Sequence, residues 1–324
     1  MPFDASDWNQ SSPPGQRGEA FPLSPPNANP LTGDLRDSVQ AHVTNGQEPA
    51  IVSISDIHGY LDSARSALLT LSDHPDYEPV VTQDDDRLLH WAGNNYVLVF
   101  NGDLVDRGPS NIETLQMVSR LMDEAPTGMV RVTLGNHEMA VLTPALFMWD
   151  NLFSGQVSSS GRRTLVQEIL GGRVVAAYEG YNVTYAHAGH SEDYTVEEVN
   201  DRLTAAAQQI HGLIGGSADA PVQQQLVEDY PFVLGMGEHH PKGPDAGLIW
   251  KDFRHLTPDS PPQVVGHTRH DTITQKENLI CENVIRDNVD TPGGEAVLVE
   301  IPEGFAALQR ESNGGVSIET LPVL

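Results

Sequence analysis

The stretch Tyr96-Val97-Leu98-Val99-Phe100-Asn101-Gly102-Asp103-Leu104-Val105-Asp106-Arg107-Gly108 decides how the rest of the chain is read. Its first five residues are apolar β-formers without alternation, the pattern of a strand buried on both faces in a parallel sheet. Gly102-Asp103 breaks the run, and a loop continues to Pro109. From Ser110 the spacing predicts a helix, with Glu113 completing a capping box. Ile112, Leu115, Val118 and Leu121 would form its buried stripe. A carboxylate at the end of a buried strand is costly unless a cation takes it, so Asp103 is a candidate metal ligand.

The same plan recurs on both sides. Residues 50–54 form a short apolar run that ends in Ser55-Asp56-Ile57-His58-Gly59, and Leu61, Ala64, Leu68 and Leu71 then recur at helical spacing. Residues 129–134 end in Gly135-Asn136-His137-Glu138. Strand, loop, helix and strand in this order imply parallel strands with right-handed crossovers, whose carboxyl ends gather side chains at one sheet edge. The fold class is therefore α/β. Further on, 174–178 and 182–186 are expected to pair as a hairpin delivering His187-Ala188-Gly189, and a strand at 264–265 leads to Gly266-His267-Thr268. Thr195 and Glu198 predict a helix to about 214, and 221–230 also reads as helical. Residues 264–265, 279–283, 296–301 and 305–309 are expected to form a second, mostly antiparallel sheet.

Residues 1–46 are rich in Pro, Ser, Asn, Gln and Gly and are expected to be a disordered tail, with a short helix over 35–43. The catalytic domain is expected over 47–324, with 190–245, the stretch poorest in motifs, as an insertion or lid. Cys281 is the only cysteine, which excludes an internal disulfide and a cysteine-built zinc site. No segment approaches the ~18 uninterrupted apolar residues of a membrane span, and the start of the sequence has no secretory pattern; a cytoplasmic protein is expected. Asp and Glu total 45 against 18 Lys and Arg, a formal charge of −27, and only Lys242, Lys251 and Lys276 are lysines. That surface repels itself unless salt shortens the Debye length to ~3 Å at 1 M, so the composition reads as that of a halophile's protein. It also argues against nucleic acid as a partner, since a duplex binder carries a basic stripe.

Taken singly, each motif has an ordinary structural use: Asn after Gly is commonly a turn residue, and a histidine at a strand end is commonly a loop residue with a hydrogen bond. Taken together, Asp56, His58, Asp103, Asn136, His187 and His267 make an oxygen- and imidazole-rich donor set without thiolate. It suits manganese first, with iron or zinc as alternatives. Two such ions can clamp a phosphate and lower the pKa of water.

The five motifs, in this order, resemble the phosphoprotein phosphatase family of calcineurin-like metallophosphoesterases. The long Gly-Asp-Leu-Val-Asp-Arg-Gly segment with Gly-Asn-His-Glu carries most of the resemblance, and Ala188 after His187 suits its prokaryotic serine/threonine branch. The resemblance implies a metallophosphoesterase-like α/β/β/α sandwich of two mixed sheets with flanking helices. It implies that Asp56 and His58 hold one ion, that Asp103 bridges two, and that Asn136, His187 and His267 complete the second. Arg107 and Asn136 would bind phosphate, with Arg254 as the second basic phosphate ligand and Lys251 behind it. His137, oriented by Asp106, would protonate the leaving alkoxide while a water shared by the ions attacks phosphorus directly.

The activity this implies is hydrolysis of phosphomonoesters in a phosphorylated protein or a small phosphoester, first as a serine/threonine protein phosphatase. The alternative within enzymes is a symmetrical dinucleoside tetraphosphatase. A metal-dependent nuclease is disfavoured by charge and by the Val-Asp-Arg-Gly element. A metal-binding regulatory pseudo-phosphatase is disfavoured by the complete donor set.

Overall fold

The structure, a computed structural model, describes residues 20–23, 37–43, 48–93 and 95–322. Strand β1 (Ala50–Ile54) runs into helix α1 (Leu61–Leu68), and a small hairpin of β2 (Val81–Gln83) and β3 (Leu89–Trp91) follows. Strand β4 (Tyr96–Phe100), helix α2 (Asn111–Glu124) and strand β5 (Val130–Thr133) repeat the unit. β1, β4 and β5 pair in parallel, as the strand–loop–helix–strand order predicts. After β5 come helices α3 (Asn136–Leu142), α4 (Pro144–Phe147), α5 (Phe153–Gln156) and α6 (Ser159–Leu170). Ser110 stands at the α2 N-cap without a side-chain cap bond. The expected capping box is replaced by Asn111, whose Oδ1 accepts from the Asp106 N–H at 2.6 Å and whose amide donates to Gly108 O at 3.1 Å.

The chain then leaves the first sheet for a second one. β6 (Val174–Val175) pairs in parallel with β5, whereas β7 (Tyr178–Glu179) and β8 (Thr184–Tyr185) form an antiparallel hairpin in the other sheet. The expected single strand over 174–178 is thus split. At the crossing the Ala176 and Ala177 N–H groups both donate to Asn200 Oδ1 instead of a neighbouring strand. Asn200 lies on α7 (Val196–His211), which is capped by Thr195 as predicted and followed by α8 (Asp219–Asp229) and α9 (Pro231–Leu234). Val199, Leu203, Ala206 and Ile210 bury the inner face of α7 in the main core.

The remaining elements are β9 (Gln263–Val265), β10 (Thr274–Lys276), β11 (Leu279–Cys281), α10 (Ile285–Asn288), β12 (Ala296–Ile301), β13 (Gly304–Arg310) and β14 (Val316–Leu321). The first sheet has the order β14-β13-β12-β1-β4-β5-β6 and the second β10-β11-β9-β8-β7. The expectation of one late, mostly antiparallel sheet fails in two respects. β12 and β13 belong to the first sheet, where β12 lies antiparallel to β1; and β9 pairs in parallel with both β8 and β11. Local apolar pattern marks a strand but does not name its partner.

Both sheets are mixed, and they stack face to face. Ile51, Val97, Val99 and Leu298 of one pack on Tyr185, Val264 and Ile280 of the other, while Val52, Ile54, Leu98 and Phe100 turn to the opposite side among Leu68, Leu115 and Val118 of the helices. This is the α/β sandwich with flanking helices. Most of residues 1–46 lie outside the described residues, but the parts within them are anchored, unlike a disordered tail. Phe21, Leu23 and Val39 are buried, the 35–43 stretch holds a 3-10 turn over Val39–His42, and Asp37 O accepts from Glu179 N–H at 2.7 Å. These lone apolar residues have no periodicity to betray them, and each fills its own slot. Among the described residues no helix is long and apolar enough to cross a membrane.

Candidate metal centre and phosphate pocket

Five strand ends converge. β1 leads to Asp56 and His58, β4 to Asp103, Asp106 and Arg107, and β5 to Asn136 and His137 at the start of α3; β8 and β9 of the second sheet lead to His187 and His267. Asp103 is central. Its Oδ2 lies 3.6 Å from His58 Nε2, 3.3 Å from His187 Nε2 and 4.0 Å from His137 Nε2. Asp56 Oδ1 lies 3.7 Å from His58 Nε2. On the other side, His187 Nε2 stands 3.2 Å from both Asn136 Oδ1 and His267 Nδ1. The structure therefore brings all six candidate ligands into one buried cluster.

The loops that carry them are held in strained shapes. Asp56, His58, Asp103, Asp106, Arg107 and His267 all have φ between 50° and 74°, the left-handed region that costs a side-chain residue about 1 kcal/mol or more. Backbone cross-ties fix the strain: Asp56 N–H to Gly102 O at 3.0 Å, His58 N–H to Asp103 O at 2.8 Å, and His267 N–H to Asp56 Oδ2 at 2.9 Å. The motif glycines follow from the crowding. A Cβ on Gly102, itself at φ +79°, would lie 2.5 Å from His187 Nδ1, and one on Gly266 would lie 2.2 Å from Asp56 Oδ2.

Three observations show that these residues fit metal ions. Asp56 Oδ1 is buried without a hydrogen-bond partner, where burial without compensation is costly. His58 Nδ1 is engaged by Val105 O at 2.9 Å and His187 Nδ1 by Asn101 O at 3.0 Å, which leaves each Nε2 lone pair facing the cluster. Finally, Asp103 belongs to two separate donor groups, one with His58 and His137 and one with His187 and His267. The electrostatics of the cluster pull in opposite directions. Burial, with Asp103 nearby, pushes the Asp56 carboxyl up to about 6. Burial opposes charge on His187, but Asp103 outweighs it and pushes the imidazole up to about 9.

A cavity of about 390 Å³ opens over the cluster. His137 Nδ1 donates to Asp106 Oδ2 at 2.5 Å, and Asp106 Oδ1 in turn accepts from Ser154 N–H at 2.8 Å, so Nε2 is turned to the pocket. Trp149 packs against the His137 ring, centroids 5.1 Å apart. Arg107, Lys242, Arg254, Arg269 and Arg286 all line the cavity, five of the 18 basic residues in a chain of net charge −27. Arg254, expected as the second phosphate ligand, stands at the cavity's rim with its side chain 74% exposed and paired with Asp252 at 2.8 Å. Lys251 is turned away onto the Pro244 carbonyl.

Sequence reasoning missed Lys242 and Arg286. Lys242 is half-buried, and its ammonium is drawn down by burial while Asp103 and Asp252 hold it up. Lysine scarcity was the available signal, since a lysine kept in so acidic a chain stands out. Glu138, quoted within its motif but given no role, accepts from Asp103, Leu104 and Gly135 N–H groups at 2.8, 2.9 and 3.1 Å and so ties two motifs together.

A symmetrical bis(5'-nucleosyl)-tetraphosphatase of Psychromonas ingrahamii is 22% identical over 182 residues, 55% of this chain and 56% of that protein. One from Vibrio cholerae is 51% identical over 49 residues, 15% of this chain and 16% of its own length. The chain thus spans about half, or less, of the curated relatives it matches. Among solved structures, the cold-active protein-tyrosine phosphatase of a psychrophilic Shewanella species superposes with a TM-score of 0.52 at 19% identity, over 84% of this chain and 80% of that one, a likeness of fold. Residues 49–271, more than half of the chain, match the family described as calcineurin-like phosphoesterase. With that match laid on a two-sided Asp and His cluster at the strand ends, the chain belongs to the calcineurin-like phosphoesterases.

Proposed function

We propose that this metallophosphoesterase hydrolyses alkyl phosphomonoesters, first among them phosphoserine and phosphothreonine in proteins. The observation that carries the reading is the His137–Asp106 pair, 2.5 Å apart, with Nε2 turned to the pocket. An alkoxide is a poor leaving group and needs a proton as the ester bond breaks; a nucleoside polyphosphate departs well without one. In this reading Asp56 and His58 would hold one ion, Asp103 would serve both, and Asn136, His187 and His267 would hold the other. Manganese fits an oxygen- and imidazole-rich set without thiolate. When bound, the ions supply Lewis-acid charge and acidify water. Arg107 forks onto the phosphate oxygens. Lys242 replaces Arg254 as the second positive charge, because the Arg254 guanidinium is committed to Asp252. His137 donates its Nε2 proton to the departing oxygen, and Asp106 keeps the ring in register.

A second reading, symmetrical dinucleoside tetraphosphatase, is supported by the five basic residues around the cavity and by the activity named for the curated relatives. The two are separated by a substrate panel with Mn²⁺ at high salt: phosphoserine, phosphothreonine and phosphotyrosine peptides, diadenosine tetraphosphate and an aryl phosphate. We expect His137→Gln to lower kcat on phosphoserine peptides by roughly 10²–10⁴, and far less on an activated aryl phosphate. Hydrolysis of the dinucleotide at far higher kcat/KM than any phosphopeptide would overturn the reading.

A further inference from the structure

Arg107, Arg269 and Arg286 all line the cavity, close enough that the first two repel the charge on the third. Arg286 is half-buried on α10, next to the Asp56 and His58 side of the centre. Burial pulls its guanidinium down to about 10, and Arg107 and Arg269 add to the effect by repulsion. Arg269 has a carboxylate partner, Asp287, at 2.8 Å. Arg286 has none among the described residues. A half-buried guanidinium pressed against two others, with Asp56 and Tyr60 as minor counterweights and no paired carboxylate among the described residues, is a costly arrangement that an anion entering from outside relieves.

We propose that Arg286, with Arg269 behind it, forms a second anion subsite that receives a carboxylate or phosphoryl group attached to the substrate near the scissile phosphate. This inference rests on the phosphopeptide reading above for its source of the anion, an acidic or second phosphorylated side chain beside the target residue. The same chemistry is offered by the neighbouring phosphate of a nucleotide polyphosphate chain. Lys242 also lines the cavity and senses Asp103 and Asp252 before Asp56, so the two basic groups divide the work: one serves the reacting phosphate and the other its neighbour.

The test compares three phosphoserine peptides that differ only beside the target residue, which is alanine, glutamate or a second phosphoserine. Each is assayed with the Mn²⁺-loaded enzyme at fixed ionic strength, alongside diadenosine tetraphosphate and a simple aryl phosphate. The readout is the ratio of kcat/KM for two-anion over one-anion substrates in wild type, Arg286→Gln and Arg87→Gln, the last removing an equal charge at an exposed site far along the chain. We expect wild type to favour two anions about tenfold or more, mainly through KM. Arg286→Gln should bring the ratio close to one, and Arg87→Gln should leave it as it is. A ratio near one in wild type, or an equal loss with Arg87→Gln, overturns the subsite. If phosphopeptides fail as a class while the dinucleotide is cleaved, the phosphopeptide reading falls. In that case a loss confined to the dinucleotide in Arg286→Gln upholds the subsite with a phosphate chain as its source, and an equal loss on the aryl phosphate rejects it.

Discussion

Glu138 shows how much of the centre is built by a residue that never faces phosphate. It gathers three backbone N–H groups from two motifs, and each buried donor left unmatched costs about 1–3 kcal/mol. Glu138→Ala should therefore destabilise the fold by about 3 kcal/mol or more, read from urea unfolding. Glu138→Gln, which retains an acceptor oxygen, should fold while weakening metal binding by roughly 10–100-fold, as outer-shell changes do; calorimetric titration with Mn²⁺ checks it, and unaltered affinity would deny the positioning role. Gly266 sets a complementary limit. Its substitution by alanine forces a Cβ toward Asp56 Oδ2, so the variant should keep its circular dichroism yet bind less than the full complement of metal.

At the scale of elements, the helices are tied by one ion pair. Arg162 on α6 forks onto Asp219 of α8 at 2.6 and 2.7 Å and also donates to Leu142 O at the end of α3. Partial burial of Asp219 opposes ionisation, but hydrogen bonds from Arg162 and from Gly215 N–H outweigh it and hold the carboxyl down at about 2. A depressed carboxylate stabilises the fold fully above its unfolded pKa, near 4, and loses that contribution as pH falls toward 2. Asp219→Asn should cost about 3–5 kcal/mol at neutral pH, and the gap between variant and wild type in unfolding free energy should shrink between pH 4 and pH 2. A gap that stays constant with pH would remove the ion pair as its cause. The sequence declared α1, α2, α7 and α8 and the strands β1, β4 and β5 because apolar period is a local property, but it declared neither α3 nor α6. It could not declare that β12 lies beside β1 or that the chain changes sheets at Ala176, since pairing joins residues far apart in the chain. The motifs were equally legible as ligand types, because each sits at a strand end. Arg286 was not, as its role depends on a neighbour, Arg107, that lies remote in sequence.

For the whole molecule, a charge of −27 spread over one surface makes stability a function of ionic strength. Raising KCl from 0.1 to above 1 M contracts the Debye length from ~10 to ~3 Å, so Tm should rise through that interval; a flat or falling Tm would deny that self-repulsion limits stability. Chelation should abolish turnover and lower Tm, since a ligand bound only by the folded chain stabilises it by ~2.7 kcal/mol at a hundred times its Kd. The division of the donors between two sheets has one further consequence, in the order of synthesis. Asp56 and His267, which meet through a 2.9 Å hydrogen bond, are 211 residues apart. At ~5–20 residues per second, about 10–40 s separate their emergence from the ribosome. For much of that interval Asp56, His58 and Asp103 stand without His187 and His267 of the second sheet, so the full donor set exists only once β9 has been made.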